Sequence, residues 1–327
     1  MAKRKILFLF IAIFSVALVA CTGSKYKPEY VLNSISSSPD GLMLACGDNG
    51  IIATTQDLKV WNYLTIDKNI KFESAEFLND EFIILGREAA NGKDVLCFYH
   101  PKSKKWSLTQ SDDHVRNITV ANNRLFTIST EGYIKELIYK SEWEPVEFPA
   151  IINDANEWPV RNIPSSILYD GHQYIVTGGG NFLASSKDLK EWVFNFEQSG
   201  GTGSSYGIAT SGSTNVIVGD HLYIASAKAG DDQWTVQDPI EHIANIEDVD
   251  NYYTLCLFDI VTDGKKFVAV GAHGIALISE DGINWSVSQT NTFAWLKDIA
   301  WNGTSFICLG ENIIIASDDG VNWTEIK

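Results

Sequence analysis

Past its N-terminal apolar run, the chain alternates short apolar stretches with clusters of Gly, Asp, Asn and Ser. In the last third the pattern reads LFDIVTDG, KKFVAVGAHG, IALISEDG, INWSVSQ, then LKDIAWNG, TSFICLGEN, IIIASDDG, VNWTEIK. Each stretch is rich in β-branched and aromatic residues and is bounded by residues suited to tight turns. That combination predicts short strands joined as hairpins. No stretch after the N-terminus shows apolar spacing at a helical period.

The four-strand pattern recurs along the chain, and tryptophans mark its phase. They fall at Trp61 (TQDLKVW), Trp106 (HPKSKKW), Trp143 (IYKSEW), Trp192 (SKDLKEW), Trp234 (AKAGDDQW), Trp285 (SEDGINW) and Trp323 (SDDGVNW), at intervals of 45, 37, 49, 42, 51 and 38 residues. A loose period of this size with four strands per copy predicts an all-β fold. The expectation is a seven-bladed β-propeller of four-stranded antiparallel blades, a single domain over residues 30–327. The last copy already contains its outer strand, so the ring is expected to close by packing blade one against blade seven, without a borrowed strand.

The unit Ser-x-Asp-Gly-x-x-Trp resembles the Asp-box, or BNR, repeat of sialidases, other glycoside hydrolases, sortilin-type receptors and photosystem assembly propellers. As a repeat pattern the resemblance covers nearly the whole chain after the N-terminal run, and it is closest in blades six and seven. The turn is one residue shorter than the commonest Asp-box, and blades two, three and five lack the aspartate. Chemistry assigns the unit a structural task. Asp57, Asp188, Asp281 and Asp319 can accept backbone N–H bonds within their own turns. Gly282 and Gly320 allow positive φ, and Leu58 and Leu189 occupy that place in blades one and four. Trp61, Trp192, Trp285 and Trp323 then cover apolar surface between blades. The resemblance implies that any functional site lies on the opposite face.

Two long inter-blade stretches belong to that face in this reading. Residues 149–164 carry Trp158 and Arg161; residues 238–253 carry His242, Tyr252 and Tyr253. Aromatics beside polar and charged groups suit sugar or peptide recognition, while simple insertions covering blade edges are the alternative. The turns between second and third strands share a form: Gly47-Asp48-Asn49, Gly219-Asp220-His221, Gly271-Ala272-His273 and Gly310-Glu311-Asn312. His221 and His273 are either a ligand pair or residues chosen for positive φ. On the innermost strands Asp259 and Asp298 align, where the other blades have Ser34, Ser74, Asn117, Ser166 and Gly207. The two carboxylates could bind a cation or share a proton; equally they could accept hydrogen bonds from a neighbouring blade.

The N-terminus is different in kind. MAKRK precedes ILFLFIAIFSVALVA, which runs apolar to Cys21. This has the form of a secretory signal. Leu18-Val19-Ala20-Cys21 resembles the lipobox of bacterial lipoproteins; an ordinary signal peptide or an uncleaved helix is the alternative. The resemblance implies a signal peptide over 1–20, a lipidated Cys21 with a short linker over 21–29, and a propeller held at the cell envelope, extracytoplasmic, at an outer membrane or cell surface.

Charge narrows the partners. The formal net charge is −16, and loss of Lys3, Arg4 and Lys5 with the signal would make the remainder more acidic. Such a surface repels phosphate backbones, so no nucleic acid is expected, and the membrane is reached through the lipid. Cys46, Cys97, Cys256 and Cys308 stand singly in apolar runs, which suits buried thiols and leaves a disulfide open. No metal-spaced cluster, phosphate-binding glycine loop or nucleophile motif appears, so neither cofactor nor metal is expected. A sialidase needs an arginine cluster, but after the N-terminal run the only arginines are Arg87, Arg116, Arg124 and Arg161. The expected function is a monomeric, lipid-anchored binding or scaffold module for a protein or glycan ligand of the envelope. The alternative is a carbohydrate-active enzyme with a dyad at Asp259 and Asp298. An assembly factor of the photosystem type is a third reading, though that family's arginine-rich patch has no counterpart here.

Overall fold

The structure is a computed structural model that describes residues 31–326 apart from 112, 140–141, 149–162, 195–202, 250 and 252–253. Seven antiparallel sheets follow one another along the chain, each a meander whose first strand is innermost. The innermost strands are Leu32–Ser37, Ile70–Leu78, Val115–Ala121, Pro164–Tyr169, Ser205–Thr210, Leu257–Thr262 and Leu296–Trp301. Six sheets have four strands and the sixth has five. The chain is therefore a seven-bladed β-propeller, as the tryptophan spacing predicts.

The core is divided among the blade interfaces. Seven apolar clusters are present among the described residues, and each joins two neighbouring blades. This follows from strand chemistry: side chains alternate between the two faces of a blade, so both faces must be covered by neighbours. Every repeat tryptophan packs in the cluster its blade shares with the preceding one. Trp285 lies with Val216 and Val218 of blade five, Trp323 with Val268 and Val270 of blade six, and Trp234 with Ile175 and Leu183 of blade four.

The ring closes as expected. Blades one and seven contain only their own strands. Trp61 of blade one, completely buried, meets Ile307, Leu309 and Ile314 of blade seven. Polar clasps add direction: the Ile35 N–H donates to Asp298 Oδ2 at 2.9 Å, and Ser37 Oγ donates to the Trp301 carbonyl at 2.7 Å.

The extra strand of blade six corrects one expectation. The second long insertion forms a one-turn helix, Pro239–His242, capped by Asp238, whose side chain accepts the Ile240 N–H. Strand Ile243–Ala244 then pairs in parallel with Trp285–Val287, the outer strand of blade six. Ile243 and Ile246 are buried against Trp285. This part of the insertion covers a blade edge that would otherwise expose unpaired backbone groups. Cys46, Cys97 and Cys308 are buried free thiols, and Cys256 is a half-buried free thiol.

Candidate binding face at the channel mouth

Each end of the propeller carries one set of turns. At one end lie the turns joining first to second and third to fourth strands. There Asp281 Oδ1 accepts the N–H groups of Ile283 (2.8 Å) and Asn284 (2.7 Å), Oδ2 accepts Asn284 Nδ2, and Ser279 Oγ donates to Oδ1. Asp319 repeats the arrangement with Val321, Asn322 and Ser317. Asp57 and Asp188 each accept two backbone N–H groups in the same way. These bonds favour the charged carboxylate, so all four sit below the usual range, Asp281 at about 2. Gly282 has φ of 75°, and a Cβ there would lie 2.7 Å from Val216 Cγ2 of the preceding blade. Leu58 and Leu189 hold φ of 59° and 64° in the corresponding turns. These four carboxylates are therefore consumed by their own turns.

The other end opens into the central channel, a cavity of about 610 Å³ lined by the innermost strands of all seven blades. Every innermost strand carries a β-bulge near its start. In blade six Leu257 pairs with Gly271 and Asp259 with Val270, leaving Phe258 unpaired. The corresponding bulge residues are Asn33, Glu73, Arg116, Ser165, Tyr206 and Lys297. A bulge re-aims side chains, and here it directs the bulge residue to the channel mouth in every blade except the fourth, where Ser165 is buried. It also explains the recurrent glycine at the end of the second strand. A Cβ on Gly271 would fall 1.9 Å from the Cys256 carbonyl oxygen, because the bulged strand crowds that position.

Several bulge residues reach the turn residue just after that glycine. Asn33 Nδ2 donates to Asp48 Oδ1 at 2.9 Å, the Tyr206 hydroxyl to Asp220 Oδ1 at 3.0 Å, and Lys297 pairs with Glu311 at 3.6 Å. In blade two the pair is Glu73 with Arg87 at 3.4 Å. Blades three and four lack such a pair, with Arg116 and Thr130, and Ser165 and Gly179, at those positions; in blade six the two positions hold apolar residues, Phe258 and Ala272. An aromatic row runs through this apolar position. The rings of Tyr206 and Phe258 are 6.1 Å apart, Phe258 and Trp295 5.5 Å, and Trp295 and His273 6.1 Å. Beside it Phe293 is 88% exposed and Trp295 45% exposed.

The aligned column just inside the bulges makes hydrogen bonds across the blade boundaries. Asp259 Oδ2 accepts the Ile299 N–H of blade seven at 2.9 Å, and Asp298 accepts Ile35 of blade one. Ser34 Oγ accepts the Ala75 N–H of blade two at 3.1 Å, and Asn117 Nδ2 donates to the Ser165 carbonyl of blade four. These polar groups stitch successive blades together. Asp259 and Asp298 also share a hydrogen bond, and burial raises both, Asp259 the more because the charge of Asp298 opposes its ionisation. Glu76, from blade two, is pushed up to about 8 by burial and by the charge of Asp298. Solvent in the channel still reaches all three, but protein surrounds them on every side.

The sequence candidates separate into groups. His221 and His273 lie exposed in turns at the mouth end, with φ of 57° and 55°, the conformation that the turn demands. His242 does not join them. It lines a pocket with Ser213, Thr214, Gln237 and Ile283, at the end carrying the Asp281 turn. Its helix approaches the outer strand of blade six from that end, which is the physical reason for the correction. Asp259 and Asp298 come together as aligned. Trp158, Arg161, Tyr252, Tyr253 and Cys21 fall outside the described residues. Among the described residues no group of three or more His, Cys, Asp or Glu side chains could hold a metal ion. Sequence reasoning missed Tyr206, Phe258, Phe293 and Trp295. The bulge column lies one position before the aligned Ser/Asp column, and its variability between blades was the available signal.

The chain matches no protein-family model and no curated protein. It is similar in structure to YCF48 bound to D1 peptide, with a TM-score of 0.64 at 15% identity, covering 93% of this chain and 98% of that one. YCF48 from Cyanidioschyzon merolae gives a TM-score of 0.63 at 15% identity, over 92% of this chain and 99% of that one. The WD40 repeats of RRP9 give 0.62 at 8% identity, over 86% and 87%. Identities this low speak to the propeller fold alone.

Proposed function

We propose that this protein is a lipid-anchored, extracytoplasmic scaffold that binds a protein ligand of the cell envelope through the channel-mouth face. One observation carries the reading: the two ends of the propeller differ in what they leave unspent. At the Asp281 end the four turn aspartates are satisfied by their own backbone and the exposed apolar side chains of those turns are aliphatic, Val60, Ile283 and Val321, whereas the mouth presents the aromatic Phe293 and Trp295 to solvent on an ordered rim. Exposed aromatics clustered on a rigid frame are what protein recognition surfaces use. A structurally similar propeller, YCF48, has a structure bound to D1 peptide, which is in keeping with a peptide-binding use of this architecture. The carbohydrate-active alternative depends on Asp259 and Asp298, whose oxygens already hold the next blade and each other.

Site-specific photo-crosslinking in cells tests the face. A crosslinker at Asn312, in a mouth turn, is expected to trap a protein adduct, and one at Val321, in the turn after Asp319, is not. Equal adducts at both positions would refute the assignment. Anchoring is tested separately with a clickable palmitate analogue: label incorporated by the native chain and lost in Cys21→Ser is expected, and label retained in Cys21→Ser would overturn the anchor. The Asp-box kinship of the Ser-x-Asp-Gly turns belongs to the same proposal, supported by their carboxylate-to-backbone bonds.

A further inference from the structure

We propose that the mouth of the channel at blades five to seven docks an extended segment of a partner protein in which a basic side chain is flanked by apolar ones. The inference rests on the binding reading above and adds the chemistry of the partner. Tyr206, Phe258 and Trp295 form an apolar row, and Phe293, two residues before Trp295 in the chain, adds an exposed ring on the same loop. Three successive rings spaced 6.1 and 5.5 Å apart match several residues of extended chain at about 3.3 Å each. The row is held in place before any partner arrives. Thr290 Oγ1 donates to the Gly274 carbonyl at 2.6 Å, and the Glu311 N–H donates to the Trp295 carbonyl at 3.1 Å. A surface ordered in advance loses less entropy on binding.

Charge selects the basic residue. Inside the bulge ring, the titratable side chains lining the channel are Glu76, Asp259 and Asp298, all acids from three different blades. The channel-lining cations sit in the bulge ring itself. Lys297 is occupied by Glu311, and Arg116 lies on blade three, beyond the aromatic row of blades five to seven. A Lys or Arg side chain crossing Phe258 and Trp295 would meet their ring faces first and the acid-lined channel behind them. A cation there would favour the charged forms of Glu76 and Asp259, which otherwise retain their protons because they are buried and face Asp298, whereas an acidic segment would oppose ionisation further and a wholly apolar one would leave them protonated. The formal net charge of −16 steers the same class of partner toward the molecule.

Panning a random heptapeptide display library on the full-length protein tests the proposal. Enriched peptides are expected to place Lys or Arg beside Leu, Phe or Trp. The best of them, synthesised and measured by fluorescence anisotropy, should bind at least about 10-fold more weakly to the Phe293→Ser/Trp295→Ser double variant. At about pH 9, above the folded value of about 8 for Glu76, Glu76→Gln should weaken it several-fold, and Ile240→Ser, an exposed apolar residue at the outer edge of blade six, should leave it unchanged. The proposal is overturned if enriched peptides lack a basic residue, if the double variant binds them as well as the native chain, or if nothing enriches. Adducts at Asn312 alongside any of these outcomes would leave the binding face standing and remove only the partner chemistry assigned to it.

Discussion

Blade six contains the same side chain in two opposite states. Asp281, at one end, accepts two backbone N–H groups and is held at about 2; Asp259, in the channel, is raised by burial and by Asp298. Solvent exposure is only part of the difference. Asp281 is exposed yet strongly committed, because its turn supplies donors from residues two and three positions on. Asp259 receives one donor from the next blade and one from Ile260, while facing a second carboxylate across the blade boundary. An acidic residue repeated along a chain is therefore no pointer to chemistry by itself. What matters is whether local backbone has already claimed it.

The sharpest break between the two regions should come from what lies beneath the turns. Trp285 is 1% exposed, fills the interface of blades five and six, and donates its indole N–H to Gln237 Oε1 at 3.0 Å. Trp285→Ala is expected to cost about 3–5 kcal/mol in urea denaturation. A loss below about 1 kcal/mol would show that the tryptophan only marks the repeat. Asp298→Ala comes next: it leaves the Ile35 N–H without an acceptor at the ring closure, a cost of about 1–3 kcal/mol. Amide hydrogen exchange at Ile35 should accelerate in that variant, whereas Asp298→Asn, which keeps an acceptor oxygen, should leave exchange closer to native.

Asp281→Ala should be milder, about 1–2 kcal/mol at neutral pH, comparable to loss of a helix cap. Its pH dependence carries the diagnostic. A carboxylate lowered in the folded state stabilises above its unfolded pKa of about 3.9, and that contribution fades as pH falls through the folded value of about 2. Native and variant midpoints should therefore converge as the pH approaches 2, and a constant gap down to that pH would contradict the mechanism. Glu76→Gln should act in the opposite sense and most weakly. Glu76 has a folded value raised to about 8, so the native state holds its proton over a range where the unfolded state has lost it. Native stability should then decline from about pH 4.5 to 8 relative to the variant, with Glu76→Gln gaining about 2–4 °C in Tm at the alkaline end. No relative gain across that window would mean that channel water solvates Glu76 fully.

Much of the architecture was legible because a propeller repeats its local rules. The tryptophan phase set the blades, and the alignment of LFDIVTDG with LKDIAWNG placed Asp259 beside Asp298. The turn glycines were visible too, but their cause was not: Gly271 is required because a bulge one strand away pushes the Cys256 carbonyl into its Cβ position. The mouth residues were harder. Phe258 and Tyr206 sit in the one column of the innermost strand that varies from blade to blade, where the repeat supplies no internal comparison. Trp295 lies off the tryptophan phase. His242 was drawn to the wrong end by its membership of a long insertion, since sequence cannot tell a loop over the mouth from a strand added to an outer edge.

Hydrophobic alternation, turn chemistry and a repeated tryptophan are short-range properties, and together they specified seven four-stranded blades from the chain alone. Each blade buries both faces only against its neighbours, so the ring and its closure follow from the count. The bulges are a different matter. They arise from strand register, and register decides which side chain turns toward the channel. Only the folded ring could bring Tyr206, Phe258 and Trp295 from three blades into one row, and set that row above the acids of the channel.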